Sequence, residues 1–200
     1  LGGEQSGFIN EIGFETYQKI LNEAIDELKE NEFKDLYDED IDNKVYVKEV
    51  TIDSDFELLF PDNYVNNITE RLNLYTQLNE LKTEEELQKY ELQLIDRFGE
   101  LPPQVQDLLN SVRIKWIATK AGFEKIIMKQ GKFIGYFIND QQSSFYQSNN
   151  FTKVLQYVQA NPRICQMKEK QTRNGLRLLL TFENIKSVKQ ALAVLEPIVA

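Results

Sequence analysis

The sequence predicts an α+β fold: a helical N-terminal half, made of an amphipathic linker helix and then three helices, followed by an antiparallel sheet with helices packed on one face. Three observations carry this. Apolar residues recur at helical spacing as far as Gly122 and alternate beyond it. Two pairs of alternating segments meet at short turns, Gln130-Gly131 and Asn174-Gly175, the second being the strongest hairpin signal in the chain. An amphipathic stripe follows each pair, so the order is hairpin, helix, hairpin, helix, which suits a sheet covered on one side.

The first helix is read from Phe14, Tyr17, Leu21, Ile25 and Leu28, which fall on one stripe after Gly13. It runs into the acidic segment Glu30 to Asp42, expected to be a linker. A rough alternation from Lys44 to Asp53 makes a strand plausible. Pro61, Asp62 and Asn63 then turn the chain into a helix carrying Ile68, Leu72, Tyr75 and Leu78 and ending near Leu81.

Thr83 followed by Glu86 is a capping box, in which the hydroxyl accepts from a first-turn amide while the carboxylate reaches back to the cap amide. The helix it opens has Leu87, Tyr90, Leu94 and Phe98 on one side and stops at Gly99. Pro102 and Pro103 start a long helix with the stripe Val105, Leu108, Leu109, Val112 and Trp116, closed by Gly122. Ile114 and Ile117 point elsewhere, so this helix is expected to be covered on more than one side. Beyond it come strands at Lys125–Met128 and Lys132–Ile138, a helix over Asn150–Gln159, strands at Ile164–Lys170 and Leu176–Phe182, and a helix from Ser187 to Leu195.

Composition narrows the chemistry. With no histidine among the 200 residues, imidazole-based catalysis and histidine metal ligation are excluded. The single cysteine, Cys165, has no partner thiol for a disulfide or a zinc site and is read as a buried structural thiol. Carboxylate pairs, a lysine Schiff base or a hydroxyl paired with lysine stay open as chemistry, but no spacing favours them. No catalytic residue, metal or cofactor is expected.

No run approaches the roughly 18 apolar residues of a membrane span, and the first residues lack a secretory signal, so a soluble cytoplasmic chain without membrane contacts is expected. Charge is unevenly placed: residues 1–112 hold 27 acids against 9 bases, and residues 113–200 hold 14 bases against 5 acids. The densest acidic stretch, Glu23 to Glu57, reads as a solvated linker or helix end.

The stretch Leu1-Gly2-Gly3-Glu4-Gln5-Ser6-Gly7 offers backbone amides but lacks the lysine and hydroxyl of a P-loop, so by spacing alone it is a loop. Together with Ile12-Gly13-Phe14 and Tyr17, however, it resembles the segment that closes the translocase module of bacterial transcription-repair coupling factors, and more loosely that of the RecG helicase. Phe60-Pro61-Asp62, Tyr64-Val65, Glu70-Arg71-Leu72 with Tyr75, and Leu94-Ile95-Asp96-Arg97-Phe98-Gly99-Glu100-Leu101-Pro102 resemble the C-terminal domain of the same family. The resemblance covers roughly residues 1–125.

The resemblance implies that residues 1–38 are the end of the translocase module plus a linker helix, and that residues 39–200 are the C-terminal regulatory domain, helical over about 39–122 and sheet-containing over about 123–200. It implies that Gln5 belongs to a loop coupling ATP hydrolysis to movement on DNA, with the nucleotide-binding motifs upstream of Leu1, so that this piece neither hydrolyses ATP nor translocates. It further implies that the regulatory domain packs against the module of the parent factor that recruits the excision-repair protein UvrA, hiding that surface until the factor engages RNA polymerase.

A surface for such docking can be read from periodicity. At 100° per residue from Leu87, the helix Glu84 to Phe98 turns Leu94 and Phe98 inward and Glu85, Lys89, Leu92, Gln93 and Asp96 outward. In the family, acidic positions on this helix make the contact; Asp96 matches one, and Gln93 departs from the pattern at another. The bland alternative is a solvated helix face. Arg71 and Arg97 are read as pairing with nearby acids.

A different reading uses the basic half as a nucleic-acid-binding module: Lys125, Lys129, Lys132, Lys168, Lys170, Arg173 and Arg177 on phosphates, with Phe133, Tyr136 and Tyr146 stacking on bases. Against it, those aromatics can fill the sheet core while the cations offset the acidic half.

Overall fold

Helical spacing gives way to alternation at Gly122, and the chain turns there from the longest of the described helices straight into the sheet. The computed structural model describes residues 44–173 and 175–200; Gln5, the Phe14–Leu28 stripe, the acidic linker and Asn174 lie outside them. Val45–Ala200 form one compact unit.

Strand β1 (Thr51–Ser54) precedes helices α1 (Ile68–Glu80), α2 (Glu84–Phe98) and α3 (Pro103–Ala121). Asn67 caps α1 by accepting from the Glu70 amide. Pro103 opens α3, where a missing N–H is harmless, and Gly122 closes it at φ 79° in the left-handed region. Strands β2 (Phe123–Lys129) and β3 (Lys132–Phe137) form the first hairpin. A 3-10 turn at Ser144–Gln147 and helix α4 (Asn149–Ala160) lead to the second hairpin, β4 (Cys165–Thr172) and β5 (Gly175–Glu183). Helix α5 (Val188–Leu195), capped by Ser187, is followed by a short 3-10 turn.

The sheet has five strands in the order β1-β2-β3-β5-β4. It is mixed, where alternation alone predicted an antiparallel sheet, because β1 lies parallel to β2 with Thr51 opposite Lys125. A parallel neighbour requires a long crossover, and α1, α2 and α3 supply it. The expected strand over Lys44–Asp53 is thus reduced to Thr51–Ser54.

Two cores form. One gathers Phe60, Val65, Leu74, Leu78, Leu87, Tyr90, Leu94, Leu101, Val105, Leu108 and Leu109 between α1, α2 and the first half of α3. The other sets Ile114, Ala118 and Ala121 of α3, with α4 and α5, against Ile126, Met128, Phe133, Phe137, Cys165, Leu180 and Phe182 of the sheet. Helix α3 belongs to both, as Ile114 pointing away from the main stripe had indicated. Cys165 is buried, and burial pushes its thiol pKa up, as suits a packing residue.

Candidate docking surface

Helix α2 is fixed at both ends and along one side. Thr83 Oγ1 accepts from the Glu86 amide at 3.3 Å while Glu86 accepts from the amides of Lys82 and Thr83, so the capping box is complete. Those backbone hydrogen bonds hold the Glu86 carboxyl below its usual range. At the other end Gly99 leaves the helix at φ 87°, and Tyr64 Oη donates to the carbonyls of Leu94 and Gly99 at 3.2 and 3.1 Å. Tyr64 thereby ties the loop before α1 to both the last turn of α2 and its C-cap.

Leu87, Tyr90 and Leu94 are buried, and Tyr90 Oη donates to the Leu74 carbonyl at 2.8 Å, tying α2 to α1. Burial pushes the Tyr90 phenol pKa up, so it remains a donor. On the opposite flank Arg113 of α3 donates through Nε and Nη2 to the two carboxylate oxygens of Glu84, at 2.9 and 2.6 Å. This bidentate pair lowers the Glu84 pKa and raises that of Arg113. Arg97 pairs with Glu70 at 2.6 Å, and Arg71 reaches Asp62 at 3.0 Å and the Val65 carbonyl at 2.6 Å.

What remains outward is the side holding Glu85, Lys89, Leu92, Gln93 and Asp96, each exposed. Leu92 is 67% exposed, and Ile95 beside it is 42% exposed. Periodicity had not assigned Ile95 to this face. At 80° from Leu87 it lies on the border between inward and outward, and only its neighbours decide. The face thus carries two acids, one base and two aliphatic residues on a helix that cannot easily roll.

A family profile described as the TRCF domain matches residues 54–148, which include all of α1, α2 and α3. The transcription-repair-coupling factor of Escherichia coli (strain K12) is 36% identical over 126 residues, 63% of this chain and 10% of that protein. That of Buchnera aphidicola subsp. Acyrthosiphon pisum (strain APS) is 32% identical over 185 residues, 92% of this chain and 21% of that protein. This chain belongs to the transcription-repair coupling factor family. It spans only those small shares of its curated relatives. The crystal structure of a C-terminal domain of transcription-repair coupling factor has the same fold, with a TM-score of 0.53 at 17% identity over 76% of this chain and 88% of that one.

Within this member of the family, the cations of the second half are partly spoken for. Lys129 pairs with Asp53 at 2.6 Å, Lys132 with Glu183 at 3.0 Å and Arg177 with Glu124 at 2.9 Å. Phe133 is fully buried in the sheet core and unavailable for base stacking, and Tyr146 Oη donates to the Ile138 carbonyl at 2.5 Å. Tyr136 is half-buried. A cavity of about 210 Å³ lies at the far end of the β4–β5 hairpin, lined by Ile138, Gln141, Tyr146, Glu169, Leu176 and Leu178. Among the described residues no cluster of carboxylates or cysteine forms a metal site, and no helix is long and apolar enough to cross a membrane.

Proposed function

We propose that residues 39–200 are the regulatory domain of a transcription-repair coupling factor and that the outward side of α2 is its contact with the UvrA-recruiting module of the same protein. In this reading the contact holds the parent factor autoinhibited until it engages RNA polymerase. The observation that carries it is an aliphatic residue, Leu92, exposed at 67% among Glu85, Lys89, Gln93 and Asp96 on a helix pinned through both ends and both flanks. A pinned helix presents its face without paying ordering entropy on contact, which suits reversible docking.

The contact is weak by design of its parts. Exposed charge pairs contribute about 0 to 1 kcal/mol each, so they set orientation and release rather than tight binding. In the same reading residues 1–38 finish the translocase module, Gln5 lies in its ATP-coupling loop, and the parent is an ATP-driven DNA translocase of the cytoplasm whose catalytic motifs precede Leu1. This piece binds no cofactor and turns over no nucleotide.

The test is Asp96→Lys in the full-length factor. Reversing that charge is expected to loosen the closed state and raise UvrA affinity several-fold, a shift of about 1 kcal/mol. Unchanged UvrA affinity, measured by titration at low ionic strength, counts against the docking role of this face.

A further inference from the structure

The helices α3, α4 and α5 bury one side of the sheet, and register lays out the side they leave. Lys125, Tyr136, Leu179 and Lys168 stand next to one another across β2, β3, β5 and β4. The neighbouring row is Ile127, Ile134, Thr181 and Gln166. All eight alternate with the residues of the sheet core, and of them Leu179 is only 7% exposed although it is no part of that core. Ile127, Ile134 and Tyr136 are half-buried, whereas Lys125, Lys168 and nearby Lys170 are exposed.

We propose that this side of the sheet is a docking floor for an acidic amphipathic helix of a partner protein. The widths agree. Neighbouring strands lie roughly 4.8 Å apart, so the lysine-bearing strands β2 and β4, three steps apart, stand about 14 Å from each other. A helix with its side chains is about 10–12 Å across and fits between them. Lying over β3 and β5, above the closed-in Leu179, it sets an apolar stripe on the half-buried Ile134 and on Tyr136, whose ring has the Arg177 guanidinium 6.0 Å away, and carries carboxylates on one flank to Lys125 and on the other to Lys168 and Lys170. Among the described residues these three lysines form no ion pair, while Lys129 and Lys132 at the end of the floor are balanced by Asp53 and Glu183.

A nucleic acid fits this floor less well. Strand-tracking proteins stack bases on rows of aromatic rings, and the floor has one aromatic, Tyr136, among aliphatic side chains. Asp53, Glu183 and Glu124 would face the phosphates alongside the cations they pair with. A peptide helix has no bases to stack, and its few carboxylates can be placed at Lys125, Lys168 and Lys170 alone, where a continuous phosphate backbone could not avoid those acids.

The probe is a fluorescein-labelled peptide of about 18 residues, five helical turns, with leucines at i, i+3, i+4 and i+7 and glutamates on both flanks. Controls are the same peptide with lysine for glutamate, and an oligothymidylate. Titrated with the 200-residue chain, the acidic peptide is expected to bind, with methyl NMR shifts centred on Ile127, Ile134 and Leu179, and the lysine peptide is expected to bind at least tenfold more weakly. The double variant Lys125→Glu/Lys168→Glu, at exposed positions that folding does not need, is expected to reduce the acidic peptide's affinity about tenfold or more. Asp96→Lys is expected to leave it unchanged, which separates this floor from the α2 face. Equal binding of both peptides, no binding of either, shifts centred elsewhere, or displacement of the peptide by oligothymidylate would overturn the proposal.

Discussion

The helical layer and the sheet layer of this domain are held together in different ways. Between α1, α2 and α3 the core is mostly aliphatic, and tyrosines make its specific ties: Tyr90 to the Leu74 carbonyl, Tyr64 to the end of α2, and Tyr75 accepting from the Phe60 amide at 2.8 Å. The sheet layer relies on phenylalanines, with Phe123, Phe133, Phe137, Phe145, Phe151 and Phe182 in a continuous chain of ring contacts 4.7 to 6.4 Å between centroids. Aromatic pairs add about 0.5–1.5 kcal/mol each beyond the area they bury, and their geometry tolerates little intrusion. The helical layer is therefore oriented by hydrogen bonds at a few points, and the sheet layer by dense packing. Among the described residues, only α3 and the half-buried Leu58 contribute to both cores.

The strongest way to break that arrangement is at the joint. A Cβ on Gly122 would lie 2.1 to 2.5 Å from the Phe145 ring, and the residue sits at φ 79°, where an L side chain is strained. Gly122→Ala is expected to destabilise by about 2–5 kcal/mol, adding left-handed strain of roughly 1–2 kcal/mol to overpacking of about 1–3 kcal/mol. Trp116, the single tryptophan, packs against the helical core and so reports on the layer that the substitution does not touch. If α3 makes the two layers one cooperative unit, urea transitions followed by Trp116 fluorescence and by far-ultraviolet circular dichroism shift together. Separate midpoints would show two units joined only by a helix.

A second comparison lies within α2. Leu87 is fully buried, and Leu87→Ala is expected to cost about 2–5 kcal/mol. Leu92→Ala, one and a half turns further along, is expected to change thermal stability by less than about 0.5 kcal/mol while weakening whatever the outward face binds. Comparable losses at both positions would mean that the outward face is packed within its own domain.

That contrast between two leucines also marks what sequence can reveal. The direction of Leu87 and Leu92 follows from 3.6-residue geometry, which is local, and the capping box, the paired prolines and Gly122 punctuate the helices by equally local rules. The floor formed by Lys125, Tyr136, Leu179 and Lys168 was not legible, because it depends on which residues of four strands stand opposite, and no local rule sets that register. Nor was the parallel β1, whose partner lies beyond three helices. The Arg113–Glu84 tie, 29 residues apart, was missed for the same reason. Charge counting went astray most plainly with Lys129 and Lys132, which composition marks as surplus base and the sheet places beside Asp53 and Glu183.

The smallest predicted effect tests whether the Arg113 tie matters to the pose of α2. The Glu84 carboxyl is held below its ordinary range chiefly by its hydrogen bond to Arg113. A carboxyl whose folded pKa is depressed adds stability that is complete above the unfolded value near 4.3 and is lost as pH falls through the lower folded value. The side chain is 43% exposed, so solvent screening limits the contribution to a few tenths of a kcal/mol. Glu84→Gln is therefore expected to lower stability slightly at pH 7 and not at all once the pH is below the folded value, measured as the change in urea midpoint across that window. High salt is expected to shrink the difference further. A variant whose loss is the same at both pH values would assign the role of Glu84 to shape instead of charge, and the orientation of the outward face would then rest on Tyr64, Tyr90, the Arg97–Glu70 pair and the buried side of α2.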